Sequence, residues 1–390
     1  MMRYKLKELG SVSTGNTPSK SNESFYNSDD IGFVKPDILS DSSITENINV
    51  AEYVSENARS KVRMVKDGAV FVTCIGSIGK IGIADREFAF NQQINAIQPN
   101  NKVISKYLAY CMLYNKKALQ AIANAPVVPI INKSQFEEFE IEIEEDINEQ
   151  IKIVEILDKV SRVLASRKAE LEKLDDLIKA RFVELYGDPE VNSMNLPVKP
   201  MTDVCEIIDG DRGKNYPTQE EFSDEGYCLF LNAKNVTSNG FSFENCMFVT
   251  KEKDEILRKG HLNRGDVVLT TRGTIGNLAF YDESVPYENV RINSGMVILR
   301  MNHEIVSEHF FIEQFKMQLG SIKEKIASGS AQPQLPISTM NKIVVLMPSV
   351  EQQLVFADFV QQVDKSKVAV QKALDEAQLL FDSLMQKYFG

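Results

Sequence analysis

Two short glycine-containing segments are the first candidates for chemistry in this sequence. Residues 76–80, GSIGK, have the glycines and the lysine of a phosphate-binding loop. Such a loop needs four residues between its first glycine and Gly-Lys, then Ser or Thr, whereas here two intervene and Ile81 follows. ATP binding is therefore not expected. The segment predicts a turn in which glycines adopt positive φ and N–H groups can approach a phosphate, or a plain turn without a ligand.

Residue types that commonly carry catalysis do not form a recognisable set. We find no methyltransferase Asn-Pro-Pro-Tyr or Asp-Pro-Pro-Tyr, no nuclease carboxylate cluster ending in lysine, and no Ser/His/Asp signature. His261, His303 and His309 lack metal-ligand spacing, so no metal site is expected. Five widely spaced cysteines without a CxxC pair predict reduced structural thiols. The chain is expected to hold no catalytic residue and no cofactor.

The composition predicts a globular protein of two or more domains. The 390 residues are 43% hydrophobic and 25% charged, with a net charge of −11. Residues 1–136 hold 16 basic against 12 acidic residues, whereas residues 200–348 hold 15 against 20. The acidic excess of the second region argues against a broad nucleic-acid surface. A DNA-binding face there would need a local cluster of basic residues or positive charge supplied by a partner. No apolar run suits a membrane or a secretory signal, so we expect a cytoplasmic protein without a membrane partner.

The chain repeats itself. Residues 68–79, GAVFVTCIGSIG, reappear as residues 265–276, GDVVLTTRGTIG, at an offset of 197. Further matches keep the same order while the offset drifts from 195 to 204, as loop insertions would produce. These matches pair Leu6 with Met201, Leu9 with Val204, Val12 with Ile207, Gly15 with Gly210, Asn91 with Asn293, Pro129 with Pro333, and Glu149-Gln150 with Glu351-Gln352. The sequence predicts a tandem duplication.

Each copy has two parts. The first part alternates short apolar runs with Gly/Asn/Ser turns and contains one amphipathic helix, after Ser105 and again after Ser307. This pattern predicts a mixed α+β globule of the α/β class. The second part lacks proline and glycine from 149 to 186 and from 351 to 389, which predicts two long helices. A helix of about 36 residues spans roughly 54 Å, longer than a small domain is wide.

The two helices carry matched heptad seams. The seam residues are Ile153, Leu157, Val160, Leu164, Leu171, Leu174, Ile178 and Leu185 in the first helix, and Phe356, Val360, Val363, Val370, Leu374, Phe381, Leu384 and Tyr388 in the second. The seam positions follow each other at alternating steps of four and three residues. Ala377 also falls on the seam, and only Arg167, Arg181 and Lys367 are charged residues that interrupt it. Matched seams favour an antiparallel coiled coil that relates two globules by a pseudo-two-fold axis. The alternative is that each stripe packs on its own globule.

The pattern yields five segments. Residues 1–145 and 200–348 are the predicted globules, 146–187 and 349–390 the predicted helical arms, and 188–199 a linker rich in turn residues.

This arrangement resembles the specificity subunits of type I restriction-modification enzymes over nearly the whole chain. The resemblance lies in the Glu-Gln opening of each helix, in Gly187-Asp188-Pro189, and in the duplicated segments Thr73…Gly76-Ser-Ile-Gly79 and Thr270…Gly273-Thr-Ile-Gly276. It implies that each globule is a target recognition domain for one half of a split double-stranded DNA sequence. The helices would set the separation between the halves.

The resemblance also implies partners. Two modification subunits, which carry S-adenosylmethionine and methylate adenine, and restriction subunits with ATP- and Mg-dependent translocase and nuclease activities would join this chain. The chain itself would be a non-catalytic subunit of the restriction endonuclease and adenine methyltransferase complex.

Base reading requires polar side chains on loops. Candidates beside the shared glycines and asparagines of the first globule are Thr14, Asn16, Lys20, Lys35, Arg63, Ser77, Lys80, Asn91, Gln92 and Gln93. Those of the second globule are Arg212, Lys214, Lys234, Arg272, Thr274, Asn277, Arg291, Asn293, Gln332 and Gln334. Because Lys80 and Asn277, or Val128 and Gln332, differ between the copies, we expect an asymmetric recognition site.

Two rival hypotheses stay open. A duplicated coiled-coil scaffold or inhibitor would bind protein partners without reading DNA, as the acidic second globule favours. An enzyme with an unrecognised active site would methylate DNA as the isolated chain. Binding to pooled DNA sequences, with and without a modification subunit, separates the first from the DNA-reading hypothesis.

Overall fold

The structure, a computed structural model, describes residues 1–123, 128–327 and 334–390. It divides into two compact units: unit 1 comprises Met1–Lys168 with Lys372–Gly390, and unit 2 comprises Ala169–Gln371. The five predicted segments are a finer division than these units, and their boundaries stay a prediction.

Unit 1 is built mainly from short strands, with helices towards the end of its first segment. Its strands are β1 Met2–Lys5, β2 Gly10–Thr14, β3 Ile31–Val34, β4 Ile44–Thr45, β5 Tyr53–Val54, β6 Met64–Val65, β7 Val70–Thr73, β8 Ile81–Ile83, β9 Phe88–Phe90, β10 Ile94–Pro99 and β11 Glu140–Ile143. Its α-helices are α1 Leu6–Leu9, α2 Ser105–Tyr114, α3 Lys116–Ala121, α4 Lys133–Glu137 and the first part of α5 Ile147–Tyr186. Short 3-10 helices cover Glu23–Phe25, Pro36–Ile38 and Glu56–Lys61.

Two sheets of unit 1 carry the loops of interest. One has the strand order β2-β10-β7-β8-β4, and the other has the order β5-β3-β9-β6. The apolar strands β3, β7 and β9 are buried along their whole length, as continuous β-branched and aromatic runs predict. Strands β3 and β9 run parallel, with Phe33 opposite Ala89, so their carboxyl ends lie at the same edge.

Unit 2 repeats this plan. Its strands are β12 Val198–Pro200, β13 Cys205–Asp209, β14 Cys228–Leu231, β15 Val236–Thr237, β16 Gly240–Phe241, β17 Phe248–Val249, β18 Val267–Thr270, β19 Leu278–Phe280, β20 Val290–Ile292, β21 Met296–Met301 and β22 Val344–Leu346. Its α-helices are the rest of α5, α6 Met201–Val204, α7 Lys251–Ile256, α8 Glu308–Ala327, α9 Ile337–Met340 and the first part of α10 Val350–Phe389, and a 3-10 helix covers Gln219–Glu221.

The strand pairings of the two units correspond. The order β13-β21-β18-β19 repeats β2-β10-β7-β8, and the parallel pair β14 and β20, with Phe230 opposite Arg291, repeats β3 and β9. A further pair in each unit joins its first strand to its last, β1 with β11 and β12 with β22. The duplication and the mixed α/β fold class are confirmed.

The long helices α5 and α10 pack against each other and against their globules within each unit. In unit 1, Leu157 of α5 and Phe381 of α10 share one core cluster. In unit 2 the pairing is antiparallel, since Tyr186 Oη donates to Gln352 O at 2.7 Å and Lys367 Nζ pairs with Asp175 Oδ1 at 2.6 Å. Lys367 therefore interrupts the apolar seam with an ion pair. The role of the helices as a spacer stays a prediction.

The ends of the seams differ from the strict heptad stepping. Leu185 and Tyr388 are half-buried, whereas Phe182, Tyr186 and Phe389 are buried. In the last turns the buried residues follow each other at intervals of four, as an α-helix packed on a globule produces, instead of alternating four and three. The sequence interpretation missed these aromatic residues for that reason.

One pair of glutamines corrects the register of the repeat. Gln150 is fully buried, where its Oε1 accepts from Ile104 N at 3.0 Å and its Nε2 donates to Lys102 O and Glu144 O. Gln353 makes the same set of bonds with Ser307 N, Ile305 O and Pro348 O. Gln353, and not Gln352, is therefore the counterpart of Gln150.

Candidate nucleic-acid interface

A turn with two glycines follows the central strand of each unit, and we call residues 76–79 and 273–276 the glycine turns. In unit 1, Thr73 Oγ1 donates to Ser77 O and accepts from Lys80 N at 2.9 Å. In unit 2, Thr270 Oγ1 donates to Thr274 O at 2.5 Å and accepts from Asn277 N at 2.9 Å. The buried threonine therefore fixes the same loop in both units.

Each glycine turn has an open half and a packed half. All four glycines have positive φ, as expected from the sequence, and a Cβ added to Gly76 or Gly273 would meet no atom of the described residues within 4 Å. A Cβ added to Gly276 would lie 2.1 Å from a Leu319 methyl, and Ile275 is buried. The open half can face a ligand. The Gly76 amide is not free for a phosphate, because it donates to Pro129 O.

A second turn, which we call the asparagine turn, lies beside each glycine turn. Asn91 Oδ1 accepts from Gln93 N, and Gln93 O accepts from Cys74 N at 2.7 Å. In unit 2, Asn293 Oδ1 accepts from Gly295 N, and Gly295 O accepts from Thr271 N at 2.9 Å. These bonds attach residues 91–93 and 293–295 in the same way to the residue two positions before the glycine turn.

A glycine of the first strand region completes the framework. The Cβ of any other residue at Gly15 would lie 2.1 Å from Asn91 O, and that at Gly210 would lie 2.3 Å from Asn293 O. Only glycine allows this approach of two backbones. The framework therefore explains why these glycines and asparagines recur in both copies.

Most of the candidate residues of unit 1 meet at this framework. Asn16 N donates to Phe90 O, its side chain bonds Lys61 O and Arg63 N, and Asn91 N donates to Val34 O beside Lys35. The exposed candidates are Lys20, Arg63, Ser77 and Gln92, and the half-buried ones are Thr14, Asn16, Lys35, Lys80 and Gln93. Asn91 is buried and structural, and Lys35 forms an ion pair with Glu52. No described contact ties Lys20 to the framework.

Unit 2 brings four candidates together around its asparagine turn. Arg212 Nη2 donates to Ser294 O at 3.3 Å, and Arg272 forms an isolated antiparallel bridge with Gln334. Asn293 lies in the turn itself. Arg212, Lys214, Lys234, Arg272, Thr274 and Gln334 are exposed, while Asn277 and Asn293 are half-buried. Asn277 donates to Val236 O, and Gln332 lies outside the described residues.

Arg291 does not occupy the exposed position expected of a DNA contact. Its side chain is 8% exposed and pairs with Asp254, whose side chain is 9% exposed. Its remaining donors bond the carbonyl oxygens of Lys259, Asp254 and Leu257. Arg291 therefore holds α7 and the following loop against strand β20. The sequence could not reveal this, because the position of Asp254 is set by tertiary contacts.

The carboxylates near the unit 2 framework are engaged by the protein. Asp209 pairs with Arg212 at 3.0 Å. Asp211 accepts from Gly213 N at 2.7 Å and Arg258 N at 2.8 Å, and these backbone N–H groups lower the pKa of Asp211. The exposed guanidinium of Arg272 therefore adds positive charge to a locally compensated surface, although the region as a whole is acidic.

Sequence reasoning restricted to polar residues missed two positions of the framework. Ile75 precedes the glycine turn of unit 1 and forms an isolated bridge with Ile130, as Arg272 does with Gln334. Ile130 is 40% exposed although it is apolar. The alignment of the two copies carried the signal, since it pairs Ile75 with Arg272.

Other chemistries find little support in the described part of the chain. No group of three His, Cys, Asp or Glu residues there could hold a metal ion, and no helix there is long and apolar enough to cross a membrane. The cysteines are free thiols, and burial raises the pKa of Cys74 and Cys111 to about 12. Such thiols are poor nucleophiles and metal ligands.

Comparison with known protein families gives one assignment over both units. The type I restriction modification DNA specificity domain matches residues 1–175 and again 195–377. The chain is 24% identical over 408 residues to the type I restriction enzyme MjaIX specificity subunit of Methanocaldococcus jannaschii, covering 98% of this chain and 91% of that protein. It is 31% identical over 140 residues to the HindI specificity subunit of Haemophilus influenzae, covering 35% of this chain and 30% of that protein.

Solved structures show the same fold. The S subunit of a type I restriction-modification system from M. genitalium matches with a TM-score of 0.58 and 17% identity, covering 100% of this chain and 96% of that one. A second match is a chain from a structural study of complex assembly and conformational transition in the type I R-M system. It has a TM-score of 0.52 and 14% identity, covering 100% of this chain and 97% of that one. At these identities the likeness concerns the fold alone.

Proposed function

Because the chain belongs to the family of type I restriction-modification specificity subunits, we propose that it reads an asymmetric, two-part DNA sequence, one half with each unit. Specificity subunits are DNA-recognising, non-catalytic members of their complexes. The two glycine turns carry the proposal, since one framework is presented twice with different exposed side chains. Different side chains on one framework favour two half-sites of different sequence.

The proposal assigns the chemistry to partner subunits. Two modification subunits would methylate an adenine in each half-site with S-adenosylmethionine, and that base would be flipped out of the stack. Restriction subunits would supply ATP- and Mg-dependent translocation and cleavage. The helices α5 and α10 would fix the separation of the half-sites. The substrate of the complex would be genomic DNA, so the complex would act in the cytoplasm.

Exposed polar residues of the framework are the proposed DNA contacts. Arg272 can grip guanine O6 and N7 with two hydrogen bonds, and Gln92 or Gln334 can grip adenine N6 and N7. Exposed lysines outside the framework, such as Lys20 and Lys234, would supply phosphate charge, which favours all sequences alike. Arg291 and Asn91 are left out because both are buried.

Methylome sequencing tests this function. The chain is expressed with the modification subunits in a host without other adenine methylation, and one asymmetric two-part motif is expected. Exchange of residues 1–145 for the corresponding globule of a relative should change one half of the motif only. Absence of a motif, or a change in both halves, would contradict the proposal. A scaffold would give neither a motif nor sequence-dependent binding in a shift assay.

A further inference from the structure

The residue immediately before each glycine turn occupies the same place in both units. Ile75 precedes Gly76, and Arg272 precedes Gly273. The residue before each of them donates its backbone N–H to the asparagine turn. Cys74 N donates to Gln93 O, and Thr271 N donates to Gly295 O. Each of the two residues also forms a bridge with one residue from a later segment. The backbone therefore presents these two side chains equivalently.

In unit 2 this position is polar and exposed. Arg272 and Gln334 are both exposed, and no ion pair or hydrogen bond within the described residues uses the Arg272 guanidinium. Gly295 lies directly beside it, since a Cβ added there would lie 3.9 Å from Arg272 Cβ. The five donors of this guanidinium suit the two acceptors of a guanine edge in the major groove.

In unit 1 the same position is apolar. Ile75 is half-buried and its bridge partner Ile130 is 40% exposed, so a branched aliphatic surface borders the open half of the turn. Gln93 replaces Gly295, and its Oε1 accepts from Asn91 Nδ2 at 3.0 Å. An aliphatic side chain has no hydrogen bond to offer a base. The apolar group that a base pair displays in the major groove is the thymine C5-methyl.

We propose that the residue before the glycine turn reads a base in both units, with Arg272 contacting a guanine edge and the Ile75–Ile130 pair contacting a thymine methyl. The inference rests on the proposed function and adds the class of base edge at one position in each half-site. One framework position is thus a hydrogen-bond donor in one unit and an apolar contact in the other.

Modified bases test the two contacts separately. The full chain with its modification subunits is bound to DNA in which each thymine of the unit 1 half-site is replaced in turn by deoxyuridine, which lacks only the methyl. One position should lose affinity by about 3- to 5-fold, the value of one buried methyl, and the loss should vanish in Ile75→Ala/Ile130→Ala. In the unit 2 half-site, 7-deazaguanine at one position should weaken binding by the parent and not by Arg272→Ala.

Two further variants sharpen the result. Arg272→Lys keeps the charge but loses the paired donors, so its discrimination between guanine and other bases should fall by about 10- to 100-fold. Lys251→Ala removes an exposed cation outside both turns and should leave discrimination unchanged. Unchanged recognition of the remaining base positions of the same half-site shows that the mutated unit is folded.

The outcomes separate the inference from the function. If the parent complex binds one two-part motif but no deoxyuridine or 7-deazaguanine position depends on Ile75 or Arg272, the inference is overturned and the proposed function stands. The same holds if Arg272→Lys discriminates as the parent does, since the contact is then to phosphate. If the parent complex has no sequence preference, the proposed function itself fails.

Discussion

Units 1 and 2 use one backbone framework with different chemistry at equivalent core positions. In the parallel strand pair of unit 1, Ala89 lies opposite Phe33 in an apolar cluster that includes Ala58. In unit 2 the position of Ala89 is taken by Arg291, opposite Phe230, with its charge neutralised by Asp254. The duplicated fold therefore tolerates either a small apolar residue or a buried ion pair at this place.

The comparison also separates two kinds of arginine within unit 2. Arg291 is buried and all of its bonds are to the protein, whereas Arg272 is exposed beside an open turn. Residue type alone therefore does not mark a DNA contact. The position relative to the shared framework does, because framework positions that differ between the units and face solvent can vary without loss of the fold.

The largest expected effect comes from breaking the ion pair of unit 2. Arg291→Ala leaves Asp254 buried without its partner and should cost about 3–5 kcal/mol of unfolding free energy. Urea unfolding with hydrogen exchange of β14 and β20 measures the loss. Asp254→Ala/Arg291→Ala, which puts alanine where unit 1 has Ala89 and removes both charges, should recover much of it. Arg272→Ala is the matched control, within about 0.5 kcal/mol of the parent. A double variant as unstable as the single one would refute this explanation.

Replacing the framework glycine should destabilise the two units by equal amounts. Gly15→Ala and Gly210→Ala each force an added Cβ against a carbonyl oxygen, so each should destabilise its unit by about 1–3 kcal/mol and weaken recognition of one half-site. Thermal unfolding and binding to altered half-sites measure the two consequences. Gly320→Ala, in α8 with no described neighbour within 4 Å of the new Cβ apart from the helix's own backbone, should gain about 0.5–1 kcal/mol. Clearly unequal losses at Gly15 and Gly210 would mean that the frameworks are not equivalent.

The smallest predicted change is a dependence of the stability of unit 2 on pH. The backbone N–H groups of Gly213 and Arg258 lower the pKa of Asp211 below its ordinary value of 3.8. The charged carboxylate therefore contributes stability above pH about 4, and this contribution is lost as the pH falls through the lowered pKa. Asp211→Asn should be less stable than the parent at pH 7, and the difference should disappear as the pH falls through the lowered pKa of Asp211. A difference that does not change with pH would rule out the charge as its cause.

The duplication was readable from the sequence because local constraints recur. Positive φ at Gly76 and Gly273 requires glycine, and the close approach at Gly15 and Gly210 leaves no room for a side chain, so these residues recur with recognisable spacing. The long helices were predictable from the absence of proline and glycine and from the apolar stripe. Their last turns were predicted less well, since contact with the globule selects Phe182 and Tyr186 instead of Leu185.

Four features could be derived from the amino-acid sequence: the tandem repeat, the mixed α/β class, the two long helices and the family. Those features depend on periodicity and on residues with special backbone freedom, which are local properties. Three others required the folded structure: that Gln353 is the counterpart of Gln150, that Arg291 is buried and Arg272 exposed, and that Ile130 borders an open turn. Burial and pairing depend on partners that are distant in the chain, such as Asp254 for Arg291, and no local pattern of residues records which partner the fold supplies.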